Sequence, residues 1–271
     1  MSQGALEIFS RKETPMTSLH SAGFKRARRV AGITAAAFLF ATPALAQSTL
    51  SDAQKKEVKA LVREYILENP EIVSEAVALL QDKEEKAKAA GVVAAINANK
   101  AALFNPPEGT VLGNAKGDVT LVEFFDYNCG YCKQVFPTLM ETLKEDSKIK
   151  LVVKEFPILG NPSVVASRAA LASRKQNKYS EFHTAMLNHR GSLNEETIMK
   201  IAADVKLDVK KLQADMKAPE INEVLAKNHQ LAQALGIEGT PAIVVGETLV
   251  PGALQKDQLK QLIVGARRNK K

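Results

Sequence analysis

The sequence contains very little cysteine and histidine for its length. Only two cysteines, Cys129 and Cys132, occur among 271 residues, together with four histidines and no tryptophan. A structural zinc site needs four ligands in a tetrahedral arrangement. Beyond residue 46 the only histidines are His183, His189 and His229, and they show no close ligand spacing. The composition therefore argues against zinc, whereas capture of copper(I) by the two thiols stays open as an alternative.

The sequence also lacks a dense stripe of lysine and arginine. The formal net charge is +7, but residues 1–46 alone hold six basic and two acidic residues, a net charge of +4. The remainder of the chain therefore carries only a weak basic excess. Nucleic-acid binding has little support on this ground, and we expect no nucleic-acid partner.

The N-terminal segment has the layout of a secretory signal peptide, which we assign to residues 1–46. Four basic residues at positions 25–29 precede an uncharged apolar run at positions 30–41. Pro43 then breaks the segment, and Ala44-Leu45-Ala46 fits the small-x-small rule for signal cleavage. We expect cleavage after Ala46 and export of the mature chain to the periplasm.

Other interpretations of this segment stay open. The apolar run could act as an uncleaved membrane anchor, but it is shorter than the about 20 residues that span a bilayer. Arg28-Arg29 resembles a twin-arginine signal, although the surrounding residues fit that signal poorly. Translation could also begin at Met16, because the residues before it look like an extension.

The two cysteines point to redox chemistry rather than to a structural disulfide. They are three positions apart, so the loop between them is too small to stabilise a fold. We predict a buried strand over 119–125 and a helix over 130–146, which places Cys129 at the helix N-terminus. Free N–H groups and the helix dipole stabilise a thiolate there. Cys129 is therefore the predicted nucleophile in disulfide exchange, and Cys132, one turn further and more buried, is the resolving thiol.

Two further features could support this chemistry. Glu123 lies six residues before Cys129 in an apolar strand, where burial would raise its pKa and let it exchange a proton with Cys132. The alternative is an acid at the sheet edge that pairs with a lysine. Thr240-Pro241 precedes a predicted strand over 242–245, and a cis bond there would bring the Thr240 backbone beside the cysteines, where an extended substrate could pair with it.

The mature chain divides into a helical part and a mixed α/β part. Pro106-Pro107 and a glycine shortly after them mark the boundary, so we assign a helical N-terminal region to 47–105 and a second domain to 106–271. The second domain begins as a β-α-β unit, whose right-handed crossover makes its two strands parallel. Helices then fill about 161–236, and a β-hairpin and a closing helix complete the chain.

The N-terminal region is expected to consist of two helices, the second running from 70 to 104. Apolar residues at helical spacing give these helices faces that one short neighbour cannot cover. Self-association through residues 51–104 is the favoured interpretation, and packing on the second domain is an alternative. A solvated, charged connector is a further alternative, because residues 83–88 are almost all charged.

Together these elements resemble the DsbA-like branch of the thioredoxin superfamily over residues 110–268. The likeness rests on Cys129-x-x-Cys132 at a helix start, Glu123 upstream, Thr240-Pro241 before a late strand, and the helical insertion. It implies an α/β, thioredoxin-like fold with a helical insertion, preceded by an all-α N-terminal arm. It also implies that Cys129 is the nucleophile, Cys132 its partner, Glu123 the buried acid and Pro241 a cis-proline.

Two details separate the sequence from the best-known oxidase of that branch. Gly130-Tyr131 replaces a Pro-His dipeptide, so a histidine that helps to stabilise the thiolate is missing. This dipeptide and the threonine before Pro241 are similar to those of periplasmic disulfide isomerases of the DsbC type. Residues 64–71 resemble the N-terminal region of ScsC-type proteins, which are linked to copper tolerance and carry an oligomerising helical arm.

The sequence thus predicts an exported protein-disulfide oxidoreductase, with isomerase or reductase activity favoured. A DsbA-like oxidase and a copper(I)-binding, ScsC-like module are the alternatives. We expect proteins with thiols or disulfides as substrates, a membrane redox partner and a homo-oligomer. We expect no organic cofactor, because the Cys129–Cys132 disulfide itself carries the electrons.

Overall fold

A computed structural model describes residues 50–106 and 110–269. The chain forms two compact units, residues 1–61, of which 50–61 are described, and residues 62–271. The signal peptide assigned to residues 1–46 lies outside the described residues, and the sequence-based domain boundaries stay a prediction. Among the described helices, none has the length and apolar character needed to cross a membrane.

The first helix, α1, spans Asp52–Glu68 and contains no buried residue. The predicted capping box is present, because the Ser51 N–H donates to Gln54 Oε1 over 2.9 Å and the Gln54 N–H donates to Ser51 Oγ over 3.3 Å. At the other end, Asn69 Nδ2 donates to the Tyr65 carbonyl over 2.9 Å. Both ends of α1 therefore satisfy backbone groups with local side chains.

The second predicted helix is interrupted near its end. Helix α2 spans Glu71–Ala98, and a short helix, α3, follows at Lys100–Phe104. The break lies at Asn99, whose backbone leaves the helical region at φ −109° and ψ 17° and whose Nδ2 donates to the Ala95 carbonyl. A side chain that competes for a helix carbonyl in this way is a physical reason for the break.

The end of α2 and all of α3 lie within the second compact unit. Ile96 and Leu103 are fully buried in an apolar cluster with sheet residues such as Phe124. Two lysines of the sheet hold the same segment, because Lys150 Nζ donates to the Phe104 carbonyl over 2.9 Å and Lys154 Nζ donates to the Ala102 carbonyl over 2.6 Å. These ammonium groups satisfy carbonyls that the short helix leaves free.

A five-stranded sheet with strand order β1-β3-β2-β4-β5 forms the centre of this unit. Strands β2 and β3 are parallel, as predicted, and the other neighbouring pairs are antiparallel. The strands are β1 Val111–Gly113, β2 Val119–Phe125, β3 Ile149–Glu155, β4 Ala242–Val245 and β5 Thr248–Pro251. Apolar clusters cover both faces of the sheet, which explains why β2 and β4 read as nearly continuous apolar runs.

Helices surround this sheet in the order expected from the sequence. They are α4 Gly130–Glu145, α5 Asn161–Ser173, α6 Tyr179–Asn188, α7 Glu195–Asp204, α8 Val209–Asp215, α9 Pro219–Ala234 and α10 Lys256–Arg268. Gly236 follows the end of α9 by two residues, and its φ of +68° suits the glycine that terminates a helix. Helix α4 follows β2 directly, so its N-terminus lies at the carboxyl end of the sheet's central strand.

We expect Leu103→Ala to lower the free energy of unfolding by about 2–5 kcal/mol, because it leaves a cavity between α3 and the sheet. Urea denaturation at a fixed protein concentration measures this change. Val264→Ala is the matched control, because Val264 is 45% exposed and its truncation should change stability by no more than about 0.5 kcal/mol. Equally small decreases in the free energy of unfolding of both variants would contradict docking of α3 against the sheet.

Candidate active site

The two cysteines lie at the start of α4, and both are reduced. Cys129 is the N-cap residue of the helix, and its Sγ accepts a hydrogen bond from the Cys132 N–H over 3.4 Å. The Asp126 carbonyl accepts the Cys129 N–H over 3.1 Å, which fixes the turn between β2 and α4. Cys129 keeps 6% of its surface exposed and Cys132 none. Only Cys129 is therefore open to a second molecule.

The surroundings favour the thiolate at Cys129 and the thiol at Cys132. A hydrogen bond from Cys132 is the largest cause that lowers the pKa of Cys129 to about 5, and a side-chain hydrogen bond with Thr240 and the N–H groups of Cys132 and Tyr131 add to it. The same interaction with Cys129 raises the pKa of Cys132 far above its usual range, helped by burial and by the charge of Glu123. The pair therefore holds one proton, and it resides on Cys132.

Glu123 lies beneath this pair, in the middle of β2. It is 1% exposed, and neither carboxyl oxygen has a hydrogen-bond partner among the described residues. Burial, and then the charge of Cys129, raises the pKa of Glu123 to about 8. The structure excludes the alternative of an edge acid paired with a lysine. Its role in proton transfer stays a prediction.

The loop before β4 completes the set of predicted residues. The Thr240–Pro241 bond is cis, and Cys129 Sγ lies 3.3 Å from the carbonyl oxygen of Thr240. The backbone at Thr240 thus lies beside the exposed sulfur, as expected. All five residues singled out in the sequence gather at the carboxyl end of β2 and the N-terminus of α4: Cys129, Cys132, Glu123, Thr240 and Pro241.

The sequence analysis did not single out Asp126 and Asn128, which organise the loop before Cys129. Asp126 is fully buried, and its carboxylate accepts the N–H groups of Asn128, Ile158 and Leu159 over 2.8–3.0 Å. A backbone hydrogen bond from Asp126 to Cys132 also favours the Cys132 thiolate. The sequence signal that could have identified these two residues is the presence of an acidic residue and an amide residue between a buried strand and a cysteine.

A buried polar network beside this loop was also missed. Tyr179 Oη donates to Glu155 Oε1 over 2.7 Å, and Tyr127 Oη donates to the same oxygen over 3.1 Å. Tyr127 Oη also lies 2.8 Å from Nδ1 of His183. Burial raises the pKa of Glu155 to about 8 and lowers the pKa of His183 to about 3. The network is held neutral near pH 7 and joins α6 to the thioredoxin core.

Comparison with known families identifies this architecture. The DSBA-like thioredoxin domain matches residues 120–264, just over half of the chain. The chain belongs to the DsbA-like thioredoxin family. The N-terminal domain of the copper resistance protein ScsC matches residues 54–87. The resemblance stated from the motifs and the thioredoxin-like fold are therefore confirmed.

Individual relatives agree with this assignment. A thioredoxin-like oxidoreductase from Silicibacter pomeroyi DSS-3 is 46% identical, with a TM-score of 0.61, over 63% of this chain and 98% of that one. ScsC from Proteus mirabilis in a transitional conformation is 30% identical, with a TM-score of 0.60, over 82% and 98%. A probable disulfide bond formation protein D from Bacillus anthracis is 28% identical, over 51% of this chain and 70% of that protein.

Some curated relatives are much longer than the matching region. The chain is 26% identical to the Na(+)/H(+) antiporter NhaA 1 of Salinispora arenicola but spans only 25% of that protein's length. The match covers 60% of this chain, and no membrane-spanning helix is present among the described residues.

We expect Cys132→Ala to raise the pKa of Cys129 from about 5 towards its ordinary value of about 8.5. The variant removes the S–H donor that lowers this pKa most. The pH dependence of alkylation by iodoacetamide reports the midpoint, because only the thiolate reacts. Cys132→Ser is the control, since its hydroxyl keeps a donor near Cys129 and should retain a low midpoint. If the pH midpoint of alkylation is unchanged in Cys132→Ala, the Cys132 S–H group does not stabilise the Cys129 thiolate.

We expect Glu123→Gln to become more stable relative to the wild type as pH rises from about 5 to about 8. The folded-state pKa of Glu123 is raised to about 8, so the wild type loses stability over this window as the unfolded chain releases the proton more readily. Denaturation of the disulfide form at several pH values tests this, because neither cysteine titrates in that form. Burial, the larger cause of the raised pKa, remains there, and loss of the Cys129 charge moves the upper end of the window below 8. A stability difference between Glu123→Gln and the wild type that does not change with pH would contradict burial of an ionisable Glu123.

Proposed function

We propose that this chain is an exported protein-disulfide oxidoreductase that acts on proteins with thiols or disulfides, with isomerase or reductase activity favoured. The observation that carries the proposal is the division of the cysteine pair into an accessible Cys129 of low pKa and a buried Cys132 of high pKa. Nucleophilic attack and resolution are thereby assigned to different sulfurs.

In the first step, the Cys129 thiolate attacks one sulfur of a substrate disulfide. The substrate S–S bond breaks, a Cys129–substrate disulfide forms, and the second substrate sulfur leaves as a thiolate. The negative charge of Cys129 disappears in this step. Because that charge is one of the two causes of the high pKa of Glu123, its loss favours an ionised Glu123 that can accept a proton.

Two outcomes then follow from the mixed disulfide. Cys132 can pass its proton to Glu123 and attack Cys129, which forms the Cys129–Cys132 disulfide and releases a substrate reduced by two electrons. Alternatively, another thiolate of the substrate attacks the mixed disulfide, which restores the Cys129 thiolate and leaves the substrate with a rearranged disulfide. The first outcome is reduction and the second is isomerisation.

The dipeptide between the cysteines supports isomerase or reductase activity over oxidase activity. Tyr131 is 66% exposed, and its contribution to the low pKa of Cys129 comes from its backbone N–H. Without a histidine in this dipeptide, one source of thiolate stabilisation and hence of oxidising power is missing. A DsbA-like oxidase is the alternative proposal, supported by relatives that are named for disulfide bond formation.

The N-terminal helices support a homo-oligomer. Among residues 50–61, the large apolar side chains of Leu50, Val58 and Leu61 are 47–66% exposed. Among residues 62–80, eight more are 38–70% exposed: Val62, Tyr65, Ile66, Leu67, Val73, Val77, Leu79 and Leu80. Exposed apolar surface of this extent marks an interaction site, and a second copy of the chain is the occupant that we propose.

Localisation, partners and cofactors complete the proposal. We infer that residues 47–271 act in the periplasm and exchange electrons with a membrane redox partner. The electrons lie in the Cys129–Cys132 pair, so no organic cofactor is proposed. Copper(I) binding by the two thiols is an alternative favoured by the ScsC match over residues 54–87, although the described residues contain no group of three or more potential metal ligands.

We expect residues 47–271 to reactivate a protein with scrambled disulfides without added oxidant. A truncated variant that begins at residue 89 should keep reduction of a small disulfide but lose reactivation, because it lacks the proposed oligomerisation surface. The truncation starts there because Ile96 and Leu103 are buried against the sheet. Light scattering at high micromolar concentration should show that the residue 47–271 protein is an oligomer and that the truncated variant is a monomer.

The other outcomes of these measurements are equally specific. Oxidation of a reduced peptide by both proteins, without reactivation by either, would support the oxidase alternative. A monomeric residue 47–271 protein would contradict self-association. Tight stoichiometric copper(I) binding without any disulfide exchange would contradict the proposed enzymatic function and support the metal-binding alternative.

A further inference from the structure

Three successive side chains hold the turn that leads from β2 to Cys129. Asp126 binds backbone N–H groups of a loop that follows β3, and Asn128 binds the helical insertion. Between them in the sequence, the Tyr127 hydroxyl donates to Glu155 Oε1 over 3.1 Å. Asp126 and Asn128 therefore attach the turn to a loop and to the insertion, whereas Tyr127 attaches it to β3 of the central sheet.

The Tyr127 hydroxyl is the middle member of a chain of hydrogen bonds. Its oxygen lies 2.8 Å from Nδ1 of His183, and its single proton is donated to Glu155. The neutral imidazole then carries its proton on Nδ1, since a hydroxyl that donates to Glu155 can only accept from His183. The chain thus runs from α6 through the turn to the sheet, and each of its three side chains is at most 1% exposed.

His183 also contacts the chain on the other side of the cysteines. Its ring centroid lies 5.5 Å from that of Tyr127, which precedes Cys129, and 5.5 Å from that of Phe136, which follows Cys132 by one turn of α4. The Phe136 ring is buried as well. A displacement of Tyr127 would therefore also disturb the ring against which the start of α4 packs.

The environment of Cys129 Sγ depends on where this turn lies. The Cys132 N–H donates to the sulfur over 3.4 Å, and the carbonyl oxygen of Thr240 lies 3.3 Å from it. One of these groups belongs to α4 and the other to the loop before β4, so the sulfur meets both only if the turn places it between them. Hydrogen bonds weaken steeply when their distances and angles change.

We propose that Tyr127 is a positioning residue for the nucleophile, because the hydrogen bonds of its hydroxyl with Glu155 and His183 fix the turn that places Cys129 Sγ at the N-terminus of α4. The inference rests on the proposed function, in which Cys129 attacks a substrate disulfide. The hydroxyl acts through the backbone of the turn and exchanges no proton with the cysteines. Its removal lets the turn relax, which weakens the hydrogen bonds that favour the thiolate.

Tyr127→Phe should raise the pH midpoint of Cys129 alkylation by iodoacetamide, about 5 in the wild type, by about one pH unit, a tenfold decrease in the acid dissociation constant. Only the thiolate reacts, and Cys132 does not contribute near this midpoint because its pKa is far above its usual range. Glu155→Gln should keep the wild-type midpoint, because its amide oxygen still accepts the hydroxyl of Tyr127.

Tyr179→Phe is the matched control, because it removes the other hydroxyl from the same carboxyl oxygen. Tyr179 Oη donates to Glu155 Oε1 over 2.7 Å, and both tyrosines lower the pKa of Glu155. The control therefore reproduces the loss of a buried hydrogen bond and its electrostatic effect, but it leaves Tyr127 attached. Its midpoint should equal that of the wild type, and equal shifts in both tyrosine variants would overturn positioning by Tyr127.

The remaining outcomes separate this inference from the proposed function. An unchanged midpoint in Tyr127→Phe would overturn the positioning role, even if the wild type reduces a small disulfide. A wild-type protein that reduces no small disulfide would instead contradict the proposed function. If Tyr127→Phe does not fold, as judged by circular dichroism, Glu155→Met replaces it, because methionine removes the acceptor and keeps most of the volume; a raised midpoint is again expected, and an unchanged one would overturn the role.

Discussion

The active site depends on hydrogen bonds to one sulfur atom. Cys129 Sγ accepts from the backbone of α4, interacts with the Cys132 thiol and lies against Thr240. These groups come from two distant parts of the chain, and the central strands bring them together because β4 lies beside β2 in the sheet. The order of the strands therefore adds Thr240 to the groups at the start of α4 that stabilise the Cys129 thiolate.

The arrangement includes an energetically unfavourable group in β2, the strand that leads to the cysteines. A carboxyl group without a hydrogen-bond partner is unfavourable in a core, yet Glu123 occupies such a position in β2. A second buried carboxyl, Glu155, lies two strand positions from the register partner of Glu123, but its Oε1 accepts hydrogen bonds from two tyrosines. The contrast supports different roles, with Glu155 joining elements of the fold and Glu123 placed for proton transfer.

Much of the fold could be predicted from the sequence because its signals are local. The apolar runs of β2 and β4, the helix starts and the cysteine spacing all reflect the chemistry of neighbouring residues. Three features could not be predicted in this way. Strand β1 has only three residues, the break at Asn99 is one side-chain hydrogen bond, and the hydrogen bonds of Asp126 reach a loop more than 30 positions away. Tertiary contacts decide the first and the third, whereas the second depends on which conformation one local side chain adopts.

The lysine that holds α3 has a chemical consequence of its own. Lys154 is 3% exposed, and burial lowers its pKa to about 8, so an appreciable fraction of its amine is uncharged and nucleophilic near neutral pH. An acylating reagent cannot reach it while α3 covers the sheet. Labelling of Lys154 therefore requires α3 to separate from the sheet, and the same separation removes the burial that lowers the pKa of the amine.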